Sequence, residues 1–163
     1  MAMTDAPDLP FPFIDPGPLI DRELSLTLLR TYTHRFATDV IPGGYEFLMW
    51  EASDKDTPAG GIRLRVGNDT EYLRLYCGHI GYNVHPDQRG RHFAERSVRL
   101  LLPLARHHGV HELWITCGPD NVGSRRTCER LGMELVEIVP VPQHLEMFHR
   151  GEREKCRYRL RLQ

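Results

Sequence analysis

Long apolar runs are missing from this 163-residue chain. The longest such stretches, around Leu100–Leu104 and Leu24–Leu29, are core-sized and well short of the ~20 residues that span a bilayer, so no membrane segment is expected. An excess of either charge is missing too. The 21 Lys and Arg face 22 Asp and Glu for a net charge of −1, which argues against a dedicated nucleic-acid binder and against strong attraction to anionic membranes. The N-terminus has neither the basic start nor the continuous apolar stretch of a secretory leader; "DAPDLPFPFIDPGP" is acidic and broken by proline, so a cytoplasmic protein is expected. Cysteine is scarce: Cys77, Cys117, Cys128 and Cys156 fall in no CxxC or Cys/His spacing that suits zinc, and read as reduced thiols that mostly pack as small side chains. The nine histidines form no HExxH pattern, and no metal is expected.

What remains is the composition of an ordinary globular protein, long enough to bury one real core. Residues 1–18 read as an extended, proline-rich segment, because proline forbids both helix interior and central strand. Residues 19–163 read as a single domain. Leu24, Leu26 and Leu28 alternate with Ser25 and Thr27, which favours a strand over the helix that Leu24, Leu28 and Leu29 also fit. "THRFATDVIPGG" reads as a helical turn and loop, "YEFLMWEA" as a strand, and "GIRLRVG" as a strand with Ile62, Leu64 and Val66 on one face. "HIGYNVHP" is a fourth strand, closed by Pro86.

From Arg91 the period changes to that of a helix, with Ala94, Val98, Leu101, Leu102 and Ala105 on one face, Pro103 inside, and Gly109 as the stop. "ELWITC" is a buried strand, "PDNVGSRRTCERLG" a short capped helix, "MELVEIV" a strand, "QHLEMFHRGERE" a long loop and "KCRYRLRL" a last alternating strand. Meanders joined to one strand–helix–strand unit give an α+β fold, a mixed sheet of about seven strands flanked by helices.

The stretch "HPDQRGRHFAERS" places a polar turn before a helix. The unpaired N–H groups and dipole of a helix N-terminus attract anions. Arg89 and Arg91 would add fixed charge there, and Gly90 close access to the backbone. The same residues also fit a plain turn before a helix.

"YNVHPDQRGRHFA" followed by "LWITCGPDNVGSRRTCERLGM" resembles the GCN5-related N-acetyltransferases, the GNAT superfamily, over roughly Leu48 to Arg159. The first stretch is similar to that family's acetyl-CoA loop, with Arg89 leading, Gly90, Arg91, His92 and Phe93 between, and Ala94 closing. His92 stands where the loop's central glycine is expected. The resemblance implies a seven-stranded, mostly antiparallel sheet and acetyl-CoA as co-substrate, with no metal. It implies transfer of an acetyl group to a primary amine, of a small molecule or a protein, by direct attack in a ternary complex. Cofactor contacts are then expected from Tyr82, Asn83 and Val84 on the strand, from Arg89, Gly90, Arg91, His92, Phe93 and Ala94 in the loop, and from Asn121 and Ser124 on the second helix. Arg125 and Arg126 could reach the 3′-phosphate of such a cofactor, or simply form a solvated helix face.

For the chemistry, the backbone N–H near Val84 is expected to polarise the thioester carbonyl. The family's thiolate-protonating tyrosine falls at Cys128, which makes its thiol the general-acid candidate, or a packing residue beside Ser124 and Leu131. His79 and His85, which flank the strand, are base candidates, with Glu46 and Glu71 weaker; no base stands out, and a strand-end histidine also fits a merely solvated residue. Acceptor specificity is expected from Glu146, Met147 and Phe148, and a homodimer is left open. The rival function is a non-catalytic acyl-CoA-binding module on the same fold. A nucleic-acid surface along Lys155, Arg157, Arg159 and Arg161 is set aside as a solvated strand face.

Overall fold

The computed structural model describes residues 11–35, 40–67 and 70–163. In order these form β1 (Leu19–Asp21), β2 (Leu24–Arg35), β3 (Val40–Glu51), β4 (Gly60–Val66) and β5 (Ile80–Val84). Then come α1 (Phe93–His107), β6 (Glu112–Cys117), α2 (Val122–Arg130), β7 (Glu134–Pro140), α3 (Glu146–His149) and β8 (Glu154–Arg161). A five-stranded sheet runs β1-β2-β3-β4-β5 and a three-stranded sheet runs β6-β8-β7, every pair antiparallel. The α+β architecture is therefore the expected one, with the short β1 as the added strand.

Two expectations are corrected, the lesser being that "QHLEMFHRGERE", read as a long loop, carries α3. The segment read as a helical turn and loop ending at Pro42-Gly43-Gly44 is strand on both sides of residues 36–39, which lie outside the described residues. Gly43 and Gly44 sit inside β3 because aromatic rings occupy the space a side chain would need: Phe11 lies over Gly43 and Tyr32 over Gly44. Ring cover of this kind is a tertiary event, and two adjacent glycines otherwise read as a break.

The inward residues of β3 and β4 (Tyr45, Phe47, Met49, Ile62, Leu64 and Val66) are buried against α1, which contributes Val98, Leu101, Leu104 and Ala105. α1 runs unbroken across Pro103 and ends at Gly109 (φ +77°), where the Val110 N–H donates to the Ala105 carbonyl. Of the N-terminal segment, Phe13 packs edge-on to Tyr45, Phe11 stacks on His108, and the Ile14 N–H donates to the Tyr45 hydroxyl. That contact lies at the C-terminal end of α1, away from the turn at its start.

The cationic stripe on β8 is matched by acids from its neighbours. Arg157 pairs with Glu137, Arg159 with Glu134 and Glu112, Arg161 with Glu112 and Lys155 with Glu152. No helix among the described residues is long and apolar enough to cross a membrane.

Candidate functional site

The two sheets meet at one point and then part. The His79 N–H donates to the Trp114 carbonyl (2.8 Å), and the Trp114 N–H donates back to His79 Nδ1 (2.9 Å). Gly78 makes this approach possible: its φ is +67°, and a Cβ there would stand 2.8 Å from the Trp114 carbonyl oxygen. Beyond this junction β5 and β6 belong to different sheets.

Register decides which backbone groups face the gap. On the β4 side, Arg65 N–H donates to the His79 carbonyl and His85 N–H to the Ala59 carbonyl, so the odd-numbered residues of β5 pair with β4. The N–H and C=O groups of Tyr82 and Val84 therefore point away from β4, toward the gap. Asn83 differs from its strand neighbours, since its backbone is spent on Gly61.

A groove of about 680 Å³ occupies the gap. Its floor is Tyr82, Asn83 and Val84; one wall is the turn and start of α1, with Arg89, Gly90, His92, Phe93 and Ala94; the other is α2, with Asn121 and Ser124. Ten of the eleven residues expected at a cofactor thus line one cavity. Arg91, the eleventh, turns aside: its guanidinium lies 3.7 Å from Glu23 and 3.8 Å from Glu51 and covers the Phe93 ring. α2 adds Gly123, Arg126, Thr127 and Arg130, and the turn adds Gln88. Of these, sequence reasoning named only Arg126; spacings of three and four from Gly123 would have found the others on α2.

The turn has the backbone of a glycine loop without its glycine. His92, the residue before α1, takes φ +59°, ψ +29°, and makes no side-chain cap bond. The first N–H groups of α1 consequently face the groove without a cap. Gly90 (φ +86°) has open space where a side chain would stand. On the opposite wall Asn121 caps α2, its Oδ1 accepting from the Ser124 N–H at 3.1 Å.

Among the described residues, three arginines (Arg89, Arg126 and Arg130) and no carboxylate line this groove. Arg89 is held by its Nε donating to the Val84 carbonyl at 3.0 Å, and Arg130 by Glu95 at 3.0 Å. Arg125 serves structure instead, donating to the Tyr158 hydroxyl and the Pro119 carbonyl.

The expected catalytic side chains divide. His79, read as a strand-end base, is only 4% exposed and its Nδ1 is an acceptor in the sheet junction, so it lies outside both cavities. Cys128 has no exposure and does not line the groove, and burial pushes its thiol up to about 12. It packs beside Ser124 and Leu131, which are also buried. The Tyr82 hydroxyl comes to this place from the facing strand. It lies 2.7 Å from Ser124 Oγ, and burial raises its pKa well above the ordinary phenol value. Glu46 lies across β4, ion-paired with Arg30 (2.6 Å) and Arg63 (3.3 Å); burial opposes ionisation, but the two arginines win and lower its pKa. His85, Glu71, Glu146, Met147 and Phe148 line neither cavity. Among the described residues, no group of three or more His, Cys, Asp or Glu could hold a metal ion.

A loop that presents uncapped helix N–H groups, a strand with outward backbone and a cationic wall define an anion-and-amide groove of the acyl-CoA type. Residues 16–133 match the acetyltransferase (GNAT) family, and the chain belongs to it. No curated protein sequence matches the chain. Among solved structures it is similar to RimL, a ribosomal L7/L12 alpha-N-protein acetyltransferase, at 16% identity and TM-score 0.54, over 73% of this chain and 61% of that one. It is also similar to yncA of Salmonella typhimurium with acetyl-CoA, at 18% identity and TM-score 0.55, over 74% of this chain and 65% of that one. A third is the microcin C7 self-immunity acetyltransferase MccE with acetyl-CoA and AMP, at 16% identity and TM-score 0.54, over 73% and 61%. The chain thus spans less than two thirds of the length of these structures.

Proposed function

We infer that the groove binds acetyl-CoA and that the chain is an N-acetyltransferase acting on a primary amine by direct attack in a ternary complex. The observation that carries this is the groove wall, where the uncapped start of α1 and an open Gly90 converge with Arg89, Arg126 and Arg130, of which Arg130 is paired with Glu95 from outside the groove lining. Those groups fit a pyrophosphate and a 3′-phosphate. The outward N–H and C=O groups of Tyr82 and the N–H of Val84 suit the amide-bearing arm that leads from them, as a sheet edge suits an added strand.

Acetyl-CoA, when bound, supplies an acyl carbon on a good leaving sulfur; the C–N bond forms as the C–S bond breaks, the amine gives up a proton and the sulfur gains one. The protein's own part is to polarise and to hold protons. Val84 N–H faces the groove as a fixed donor for a carbonyl oxygen. The Tyr82 hydroxyl, backed by Ser124, stays protonated at neutral pH and is the proposed proton donor in place of Cys128. Among the described residues no side-chain carboxylate lines the groove, and water is the proposed carrier of the proton that the amine loses.

The same lack favours a second reading, an acyl-CoA-binding module without turnover. Two measurements decide. Acetyl-CoA at about a hundred times its Kd stabilises the protein by roughly 2.7 kcal/mol, a rise of about 5–10 °C, and Arg89→Ala/Arg126→Ala should lose it. Release of free CoA thiol in the presence of amines then separates enzyme from module. An unmoved melting temperature at millimolar acetyl-CoA would sink both.

A further inference from the structure

On the other side of β5 a second, smaller cavity of about 250 Å³ shares Tyr82 and Asn83 with the groove. It lies on the outer face of the five-stranded sheet, the face that α1 does not cover. Alternation puts Glu46, Arg63 and Arg65 there, because Tyr45, Phe47, Ile62, Leu64 and Val66 point to the core. Register aligns Arg30, Glu46, Arg63 and Gly81 in one row across β2, β3, β4 and β5. Gly81 and Gly61 leave the floor bare. A Cβ on Gly81 would stand 3.6 Å from Arg63 Cγ and 3.7 Å from the Arg65 guanidinium, so a side chain there would fill the cavity rather than clash.

Among the described residues the charges in this cavity do not cancel. Of these, Glu46 is the only acid lining it, and its tighter partner is Arg30 at 2.6 Å, which stands outside the lining; Arg63 is left at 3.3 Å. Arg65 meets carbonyls instead. Its Nη1 donates to Gly78 at 3.1 Å and Cys77 at 3.4 Å, and among the described residues no carboxylate pairs with it. A guanidinium oriented by carbonyls and facing an open floor keeps its charge for a ligand. Arg63 and Arg65 stand on the strand next to β5, whose backbone at Tyr82 and Val84 faces the groove, and neighbouring strands lie about 5 Å apart.

We propose that this cavity is the acceptor site, and that the acceptor is a small amine whose carbon chain carries a carboxylate or phosphate bound by Arg65 and Arg63. The proposal rests on the acetyltransferase reading for the amine's fate, and on the cavity alone for the anion. The volume suits a molecule of amino-acid size. Glu46, already held by two arginines, is a fixed wall of the site.

The test uses matched pairs that differ only in the anion: β-alanine against propylamine, and O-phosphoethanolamine against ethanolamine. Each is titrated calorimetrically into the full-length protein with and without CoA, and each is assayed for acetyl-CoA-dependent thiol release. The anionic member of at least one pair should bind about tenfold or more tightly than its partner, as expected for charge-assisted bonds. Arg65→Gln should abolish that preference while the acetyl-CoA-induced rise in melting temperature stays. Gly81→Ala, which fills the floor without touching either arginine's bonds, should do the same if Arg65→Gln folds poorly. Equal binding within both pairs, no binding by any of the four at millimolar concentration, or an unchanged preference in Gly81→Ala would overturn the proposal. Turnover of a Ser-Asp-Asp peptide with none of the small amines would overturn it in favour of a protein acceptor. Loss of acetyl-CoA binding with the anionic preference intact would refute the acetyltransferase reading and leave the anion site standing.

Discussion

His92→Gly, compared with His92→Ala, measures what the loop spends to keep its shape. At φ +59° the L-residue carries a steric cost of about 1–2 kcal/mol that glycine does not. Histidine is one of the residue types found there more often than most, which places its own cost at the lower end. Glycine also makes the unfolded chain more flexible, which takes back about 0.4–1 kcal/mol. Both variants lose the imidazole, whose one ionic neighbour, Glu95 at 4.0 Å, is too weak a partner to matter. The glycine variant should therefore be more stable than the alanine variant by roughly 0.5–1 kcal/mol, or about 1–4 °C in Tm. Differential scanning calorimetry at one pH and salt reads this directly. His92→Val sharpens the point, because a β-branched residue resists this conformation and should weaken acetyl-CoA binding, whereas His92→Gly should not. A valine variant that binds like wild type, or an alanine variant at least as stable as the glycine one, would refute a backbone-strain account of the loop.

Three further outcomes follow from other contacts. Tyr82→Phe removes the hydroxyl facing Ser124 and should lower kcat by about a hundredfold with little change in KM for acetyl-CoA, while Cys128→Ala should leave kcat near wild type and cost about 1–2 kcal/mol of stability; steady-state kinetics and urea melts separate the two. His79→Leu deprives the Trp114 N–H of its acceptor in a buried junction and should destabilise by about 1–3 kcal/mol without shifting the pH–rate profile; a shifted profile would return His79 to the list of bases. Glu23 is held at about 2, chiefly by its hydrogen bond to Arg96, so its contribution is full above its ordinary value of 4.5 and is lost as pH falls toward 2. Glu23→Gln should flatten the Tm–pH curve in that window, and a curve parallel to wild type would show that the pair is inert.

The parts of this fold that local pattern could carry were legible, and the parts set by distant neighbours were not. The loop at Arg89–Ala94 could be read because its function is backbone geometry, and a turn before an amphipathic helix announces that geometry whichever residue takes the left-handed position. Resemblance marked His92 as a departure; the structure shows it adopting the conformation that a glycine would supply. Cys128 was placed on the correct face of α2 by spacing alone, yet spacing cannot tell a groove from a core, and it was Tyr82 arriving from β5 that closed the space above it. His79 failed for a related reason. Its position at the end of β5 suggested exposure, whereas the end of that strand is where backbone bonds join the two sheets. Gly43 and Gly44 read as a break because nothing local announces the rings of Phe11 and Tyr32 that cover them. The cationic face of β8 looked like a stripe only until the acids of β6 and β7 came beside it, and Arg65 shows the reverse. One arginine among many in the sequence, it is set apart because the chain supplies it with carbonyls to hold it in place and no described carboxylate to neutralise it. A charge that is oriented but unspent is where a search for the acceptor should begin.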